Sequence, residues 1–202
     1  MDGVLEPAGD RGRLRFTRTL HHAPDKVWRA LTDPEQLSAW FPQRIDADWT
    51  VGAPLRFVSD FGDFDGQVLA FQPPSLLEFR WGPDEIRFEI APDTNGCTLT
   101  LIDTFDEYGK ASRDAAGWHE CLDALDHHLA GLRRSSSTGE RWRGLSAMYT
   151  DRFGPEAATI GPPRVAGGIS PPIAPLFVLL RSGAHRDRER TRESRVHDPS
   201  AR

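Results

Sequence analysis

Apolar residues alternate with polar ones in short runs over the first half of the chain, and they recur at steps of three and four further on. Leu77, Phe79 and Trp81 fall on one face of a predicted strand, with polar residues between them. Such alternation is typical of strands that bury one face. Runs of this kind predict strands at 13–20, 44–49, 55–59, 64–71, 77–81 and 86–90, and a last strand that ends near residue 105.

Two short helices follow the first of these strands. Pro24 suits a first helical turn, because the N–H that proline lacks has no partner there. Asp33 is a suitable N-cap for a second helix, which has Pro34 just inside its start. The chain therefore predicts a helix pair that joins at residue 33 and ends in Trp40–Phe41.

A long amphipathic helix is predicted at 112–133, with Ser112 as its N-cap and a shorter helix at 142–153 after it. The apolar positions of the long helix recur at helical spacing and form one stripe. They are Ala115, Trp118, Leu122, Leu125, Leu129 and Leu132. The opposite face is charged and carries Arg113, Asp114, Glu120, Asp123 and Asp126.

The order of the elements predicts a fold class. One strand, a helix pair, a run of strands and one long helix indicate an α+β fold. In this fold a curved antiparallel sheet grips the closing helix, and a space is left between the sheet and the helix.

The same elements carry a family resemblance. The residues that match are Val27, Trp28, Leu31, Asp33, Pro34, Leu37, Trp40, Gly52, Phe57, Gly66, Val68, Pro73, Leu77, Trp81, Gly117, Trp118 and Leu125. Over about 12–155 the chain resembles the activator-of-heat-shock-protein-90-ATPase homology family, part of the START-like (SRPBCC), birch-pollen-allergen-like superfamily. The resemblance implies the helix-grip fold. It implies much less about function, because one fold hosts many functions.

The 202 residues are compatible with one domain and an extension. We expect a flexible N-terminus at 1–11, the START-like domain at 12–155, and a mostly disordered tail at 156–202, rich in Pro and Gly and then in Arg. The apolar run at 175–180 is unusual for such a tail. It either docks on the body or on a partner, or belongs to an unselected extension.

Charge and composition exclude several function classes. A net charge of −5 argues against nucleic-acid binding, which requires a basic face for phosphates. The longest apolar run is eight residues, at 173–180, whereas a membrane span needs roughly 20. The N-terminus lacks the features of a signal peptide, and Cys97 and Cys121 match no metal motif. We therefore expect a cytoplasmic protein with free thiols, no membrane span and no nucleic-acid partner.

Candidate chemistry is sparse. His119, Cys121, His127 and His128 lie on one helix without the i, i+4 spacing that a helical zinc site favours. No metal site, cofactor or catalytic residue is predicted. Asp103 is notable because strand alternation places it on the concave face, where a carboxylate is costly unless it is hydrogen-bonded or lies at a wet cavity mouth. It is either a polar anchor for a ligand, or a loop cap or the partner of an Arg.

An aromatic set gives the main prediction of a site. In this fold class such residues are either solid core or the wall of an elongated cavity, and pockets combine apolar walls with a few polar groups. His119, at the cavity rim or merely exposed, and Asp103 are the polar candidates. The predicted ligand-binding residues are Trp40, Phe41, Phe57, Phe64, Trp81, Phe88, Asp103, Phe105, Trp118, His119 and Leu122.

Three function classes stay open at this point. The first is a binding module for a small hydrophobic ligand, and the second is a protein-interaction module with a chaperone or other protein partner, as the family resemblance implies. The third is an enzyme, such as a cyclase or hydrolase of the same superfamily. Asp103 and His119 distinguish the third class from the first, because proton transfer becomes credible if these two side chains meet at the cavity mouth.

Overall fold

The computed structural model of the chain describes residues 2–58, 62–132 and 139–161. The predicted tail beyond residue 161, including the apolar run at 175–180, lies outside these residues. So does Ser59, the predicted last residue of one strand.

Eight strands of the described chain form one curved antiparallel sheet in the order β1-β2-β8-β7-β6-β5-β4-β3. The long closing helix packs against it, which confirms the predicted helix-grip α+β fold. The strands are β1 Val4–Ala8, β2 Arg11–Leu20, β3 Arg44–Ala47, β4 Pro54–Val58, β5 Phe64–Gln72, β6 Leu76–Trp81, β7 Asp84–Asp93 and β8 Gly96–Phe105.

The sheet begins earlier in the chain than the sequence predicts. Val4–Ala8 pairs antiparallel with β2, and Gly9 (φ +65°) makes the tight turn between the two strands. Proline is tolerated on such an edge strand, because an edge strand does not need every backbone N–H as a donor. Pro7 is the reason that the sequence pattern does not predict a strand here. Residues 4–8 are therefore part of the sheet and not of a flexible N-terminus.

Both predicted short helices are present, as α1 Pro24–Thr32 and α2 Pro34–Leu37. The predicted N-cap is confirmed, because Asp33 Oδ1 accepts hydrogen bonds from the backbone N–H groups of Glu35 (3.0 Å) and Gln36 (3.1 Å). One face of α1 is buried against the sheet and fixes the course of the chain into α2.

The closing helix α3 is Ala111–Leu129, and the 3₁₀ turn Tyr108–Lys110 leads into it. Its apolar stripe is buried as predicted, except that Leu132 lies beyond the helix end and is 60% exposed. The predicted N-cap, Ser112, is instead buried inside the first turn, and its side chain caps nothing.

A further helix, α4 Gly139–Phe153, packs on α3 and starts earlier than predicted. A 3₁₀ turn at Pro155–Ala158 also contacts α3. These elements cover part of the charged face, so burial includes Arg113 and Glu120, which the sequence pattern places opposite the apolar stripe. Asp114 is buried as well, but toward the sheet, beside Asp84 and Asp103.

The packed body continues past residue 155, the predicted domain boundary. Ala157 is fully buried, and the N–H of Ile160 donates to the carbonyl of Gly109 over 2.9 Å. None of the helices in the described ranges is long and apolar enough to cross a membrane.

Gly66 shows how tightly the middle of the sheet is packed. A Cβ at this position would lie 2.2 Å from the carbonyl oxygen of Arg80 and 2.6 Å from a ring carbon of Phe57. Only glycine fits without a shift of the backbone.

Candidate functional site

The predicted aromatic set lies together in the interior between the sheet and α3. Trp81 of β6 and Trp118 of α3 are in contact, with ring centroids 5.3 Å apart. Phe41, which follows α2, contacts both rings, and Phe88 of β7 contacts Trp118. Phe64 is partly buried, while the other apolar members are at most 3% exposed: Trp40, Phe41, Phe57, Trp81, Phe88, Phe105, Trp118 and Leu122.

Trp40 lies fully inside the protein. Its ring is 0% exposed, and its indole N–H donates to the carbonyl of Ala30 over 2.8 Å. Its edge contacts Phe41 and Phe88. Trp40 therefore belongs to the inner wall of the aromatic interior.

The indole groups of Trp81 and Trp118 are each held by a buried polar side chain. Trp81 Nε1 donates to Gln43 Oε1 over 2.8 Å, and Trp118 Nε1 donates to Asp103 Oδ2 over 2.9 Å. The two tryptophans touch, so these four side chains form one continuous row, called the polar row below. Gln43 and Asp103 stand at its two ends.

Each end of the polar row has a buried atom without a hydrogen-bond partner. Gln43 is 4% exposed and its Nε2 donates to no acceptor, while Asp103 is 0% exposed and its Oδ1 accepts from no donor. Buried polar atoms are nearly always paired, and an unpaired one is costly. An unused amide donor and an unused carboxyl oxygen, which is an acceptor when Asp103 is ionised, therefore flank the pair of tryptophan rings.

Asp103 also belongs to a buried cluster of charges at the start of α3. It lies beside Asp84 of β7 and Asp114 of α3, and one oxygen atom of each carboxylate lies within 4.8 Å of the others. Lys110 Nζ donates to Asp84 Oδ2 over 2.5 Å and lies 3.5 Å from Asp114 Oδ2. Arg113 Nε donates to Asp114 Oδ1 over 2.8 Å.

The carboxyl groups of this cluster resist ionisation. Burial raises the pKa of Asp84 to about 6, although the neighbouring Lys110 acts in the opposite direction. Burial raises the pKa of Asp103 well above its ordinary value, and the charges of Asp84 and Asp114 raise it further. Burial likewise raises the pKa of Asp114, against the effect of Arg113.

The charge balance of the cluster explains why the pKa values of its carboxyl groups are raised. Three carboxylates face two cations, Lys110 and Arg113, so the five groups would carry one excess negative charge if all were ionised. A proton on one carboxyl group removes that excess. Asp103 is the natural carrier, because Asp84 and Asp114 each have an ion-pair partner within the cluster.

Three adjacent carboxylates are also a ligand set for a hard cation. Here the Lys110 ammonium group already lies among them, bonded to Asp84 and close to Asp114. Its nitrogen is 5.4 Å from the centroid of the Phe105 ring. The fold thus places one ammonium ion between carboxylates and an aromatic face.

His119 faces away from the aromatic interior. Its Nδ1 lies 2.9 Å from Tyr149 Oη of α4, and its Nε2 lies 3.7 Å from Asp123 Oδ2. Burial lowers the pKa of His119, while Asp123 opposes this effect. The hydrogen-bond partner of Asp103 is Trp118, so the structure does not pair Asp103 with His119.

Sequence patterns found only part of this site. Alternation placed Asp103 on the concave face, and helical spacing placed Trp118 in the stripe of α3. Gln43 and Lys110 were missed, because each lies in a loop or turn where no period marks a buried face. Asp84 was missed as well, because it precedes the predicted strand 86–90 and its partner Lys110 lies 26 residues further along the chain.

A groove of about 470 Å³ lies on the outer face of the sheet, away from α3. Its lining combines charges of both signs, and Arg87 pairs there with Glu78 and Glu89. The other lining residues are Ala8, Arg11, Arg13, Glu85, Ile102 and Thr104.

Comparison with known proteins identifies one matching family. The model of the family described as Activator of Hsp90 ATPase homolog 1-like protein matches residues 21–130, which is more than half of the chain. No curated protein matches the chain.

Several solved structures share the fold. A conserved protein of unknown function from Enterococcus faecalis is 17% identical, with a TM-score of 0.63 over 75% of this chain and 90% of that one. CalU16 from Micromonospora echinospora is 22% identical, with a TM-score of 0.61 over 74% of this chain and 93% of that one. DynU16, a putative protein in the dynemicin biosynthetic locus, is 28% identical, with a TM-score of 0.53 over 61% of this chain and 48% of that one.

Proposed function

This chain belongs to the Activator of Hsp90 ATPase homolog 1-like family, and on that premise we propose that it is a START-like domain that binds a small apolar or aromatic molecule between its sheet and α3. The proposed site is the aromatic interior around Trp81 and Trp118. Apolar walls with few polar groups are the usual composition of a small-molecule site.

The polar row is the observation that carries this proposal. A core that serves stability alone gains nothing from an unpaired amide at Gln43 and an unpaired carboxyl oxygen at Asp103. A bound molecule with one acceptor and one donor would pair both atoms. The unpaired atoms thus act as a recognition pattern, and the rings of Trp81 and Trp118 supply the apolar contact between them.

The packing of the rings limits the size of the ligand. Trp81 and Trp118 contact each other and are 2% and 3% exposed. A ligand must therefore displace side chains to reach both ends of the polar row, and a small flat molecule requires the least displacement. The position of DynU16 in a biosynthetic locus also supports a small-molecule ligand for this type of domain.

Native mass spectrometry of freshly purified protein tests this function. We expect a native mass that exceeds the denatured mass by that of a bound small molecule. The variant Gln43→Leu, which removes one end of the polar row, should lose the added mass, while Gln72→Leu on an exposed position of β5 should keep it. An added mass of equal occupancy in both variants would place the molecule elsewhere.

An enzymatic function has less support. Proton transfer through a carboxylate–imidazole pair needs the two side chains within hydrogen-bond reach of each other. The two candidates from the sequence lie apart, since Asp103 bonds to Trp118 and His119 lies against Tyr149. A binding function requires no such pair.

A protein-interaction function is the second candidate, and the outer groove favours it. The groove presents guanidinium and carboxylate groups of Arg87, Glu78 and Glu89 on an open sheet face. A partner with a mixed-charge surface could pair with them. An ATPase assay with a purified chaperone of the heat-shock-protein-90 class tests this function. If the protein-interaction function is right, adding this protein should stimulate ATP hydrolysis by the chaperone. The small-molecule proposal expects no stimulation.

A further inference from the structure

We propose that the ligand of this domain is a small aliphatic amine that carries an aromatic ring, bound as its ammonium ion to Asp103 beside the rings of Trp81 and Trp118. The inference rests on the proposed function and names the chemical class of the ligand. It follows from the charge balance and the surroundings of Asp103.

The first step of the argument is charge. Asp103 faces Asp84 of β7, Lys110 of the 3₁₀ turn and, from α3, Asp114 with its partner Arg113. When all of these groups are ionised, they lack one positive charge for neutrality. A ligand that brings one positive charge completes the balance, a neutral ligand leaves it unchanged, and an anion makes it worse.

The second step is the open acceptor. Asp103 Oδ2 is used by Trp118, while Oδ1 is fully buried and accepts no hydrogen bond. An ammonium group donates up to three hydrogen bonds and accepts none. It can therefore pair with Oδ1 without leaving a buried acceptor of its own unsatisfied.

The third step is the aromatic surroundings. Trp118 bonds directly to Asp103, and the rings of Trp81 and Phe88 contact Trp118. The faces of aromatic rings attract cations, and tryptophan does so most strongly. The protein already uses this combination once, because the Lys110 ammonium group lies between Asp84 and the Phe105 ring. A ligand ammonium at Asp103 would repeat that combination of a carboxylate with an aromatic ring.

The fourth step links binding to protonation. Before the amine binds, a proton on Asp103 removes the excess negative charge. When the ammonium ion binds, this proton passes to the buffer and the carboxylate pairs with the ligand. Binding of each amine therefore releases about one proton, and the affinity rises with pH until the amine itself loses its charge.

The other end of the polar row adds a second requirement. Gln43 is 4% exposed, and its Nε2 is an unused donor beside Trp81. A ligand acceptor such as a hydroxyl or carbonyl oxygen would pair with it. This end lies outside the acidic cluster, so it supports a ligand at the ring pair independently of the charge argument.

Titration calorimetry with three probes of one shape tests the inference on the full-length protein. The probes are phenethylammonium, phenethyl alcohol and phenylpropionate, which carry a positive charge, no charge and a negative charge. We expect the amine to bind about tenfold or more tightly than the alcohol, as a charge-assisted hydrogen bond implies. Repeating the titration in buffers of different ionisation enthalpy should show release of about one proton per amine bound.

Two variants locate the effect. Asp103→Asn keeps an acceptor for Trp118 but removes the charge, so the preference for the amine and the proton release should both disappear. Asp126→Asn removes an exposed carboxylate from the same helix and should change neither. Thermal unfolding of both variants shows that they are folded at the temperature of the titration.

The outcomes separate this inference from the function beneath it. If the alcohol binds as tightly as the amine, or if Asp103→Asn keeps the preference for the amine, the inference is wrong and small-molecule binding stands. If none of the three probes binds, both the inference and the proposed function fail.

Discussion

At the scale of single residues, Trp118 connects the main parts of the site. Its ring contacts Trp81 on the sheet, and its indole N–H bonds to Asp103 at the edge of the charged cluster. It is 3% exposed. Apolar packing and the polar row thus meet in one side chain.

Truncation of Trp118 should therefore strongly destabilise the folded protein. We expect Trp118→Ala to lower the free energy of unfolding by roughly 3–5 kcal/mol, because it removes a buried ring and leaves a cavity. Urea unfolding measures this value. Trp118→Phe keeps part of the ring volume and should lose less, and a loss below about 1 kcal/mol for the Ala variant would show that the ring is not part of the core.

The charged cluster should make stability depend on pH. The raised pKa of Asp103 means that the folded protein holds a proton that the unfolded chain gives up above its ordinary pKa. Stability contributed by this group is therefore present at low pH and falls as the pH rises from about 4. Asp84, whose pKa burial raises to about 6, acts in the same direction.

Asp103→Asn isolates that dependence. The amide needs no proton, so the stability of the variant relative to the natural protein should increase as the pH rises from about 4, by at most about 1.4 kcal/mol per pH unit. His119, whose lowered pKa has the opposite effect below about pH 6.5, contributes equally to both proteins and cancels in the difference. Urea unfolding at several pH values gives the comparison, and parallel curves for the two proteins would contradict a protonated Asp103.

His119 provides a separate check on the geometry. Its neighbours are Tyr149 and Asp123, so Asp123→Asn should lower the pKa of His119 further, because it removes a charge that raises it. Asp103→Asn should leave the pKa of His119 unchanged. NMR titration of the imidazole measures both, and a clear fall in the Asp103 variant would join the two residues after all.

The sequence predicts which way a single side chain faces only where a periodic pattern assigns it to one face of a strand or helix. Asp103 and Trp118 follow from alternation and helical spacing. Gln43, Asp84 and Lys110 do not, since they lie in or beside turns and become buried only when distant elements meet. Physical contact across the fold, and not local pattern, creates the polar row and the charged cluster.

At the scale of elements, the helix pair after β2 was predictable and α3 only in part. Capping residues act locally, so Asp33 and the two prolines mark α1 and α2 directly. The sequence pattern predicts that the charged face of α3 is exposed to solvent. In the structure, α4 and the 3₁₀ turn at Pro155–Ala158 cover part of that face. Arg113 is buried there, while its partner Asp114 is buried toward the sheet, beside Asp84 and Asp103.

The cap between α1 and α2 gives a prediction at this scale. Asp33→Ala removes the acceptor of two backbone N–H groups and should lower the free energy of unfolding by about 1 kcal/mol. Asp33→Asn keeps an acceptor oxygen and should lose much less. Chemical unfolding of the pair measures the difference, and equal losses would mean that the carboxylate oxygen does not act as a cap.

At the scale of the whole molecule, the topology follows from the order of the elements. One strand, a helix pair, a meander of strands and a closing helix are compatible with few folds, and the family match agrees with the one observed. The edge strand β1 was missed because Pro7 and a short length hide it. The proposed function does not follow from this order, since the proposal rests on polar atoms that lie unpaired inside the fold.

The strands, α3 and α4 are complete before residue 162. A chain that ends at Gly161 should therefore unfold within a few degrees of the full-length protein. A chain that ends at Gly154 also loses the buried Ala157 and the hydrogen bond between Ile160 and Gly109, and it should unfold at a clearly lower temperature. Calorimetry compares the three chains, and a large loss in the longer truncation would show that residues 162–202 stabilise the body.

The central claim is that a small aromatic molecule binds beside Trp81 and Trp118, and the indole N–H signals test it most directly. The chain has six tryptophans, and each gives its own signal in a ¹H–¹⁵N spectrum. Titration with phenethyl alcohol, which carries no charge, should shift the signals of Trp81 and Trp118 saturably and leave Trp142 of α4 unchanged. Absence of a saturable shift at Trp81 and Trp118, or an equal shift at Trp142, would contradict the account.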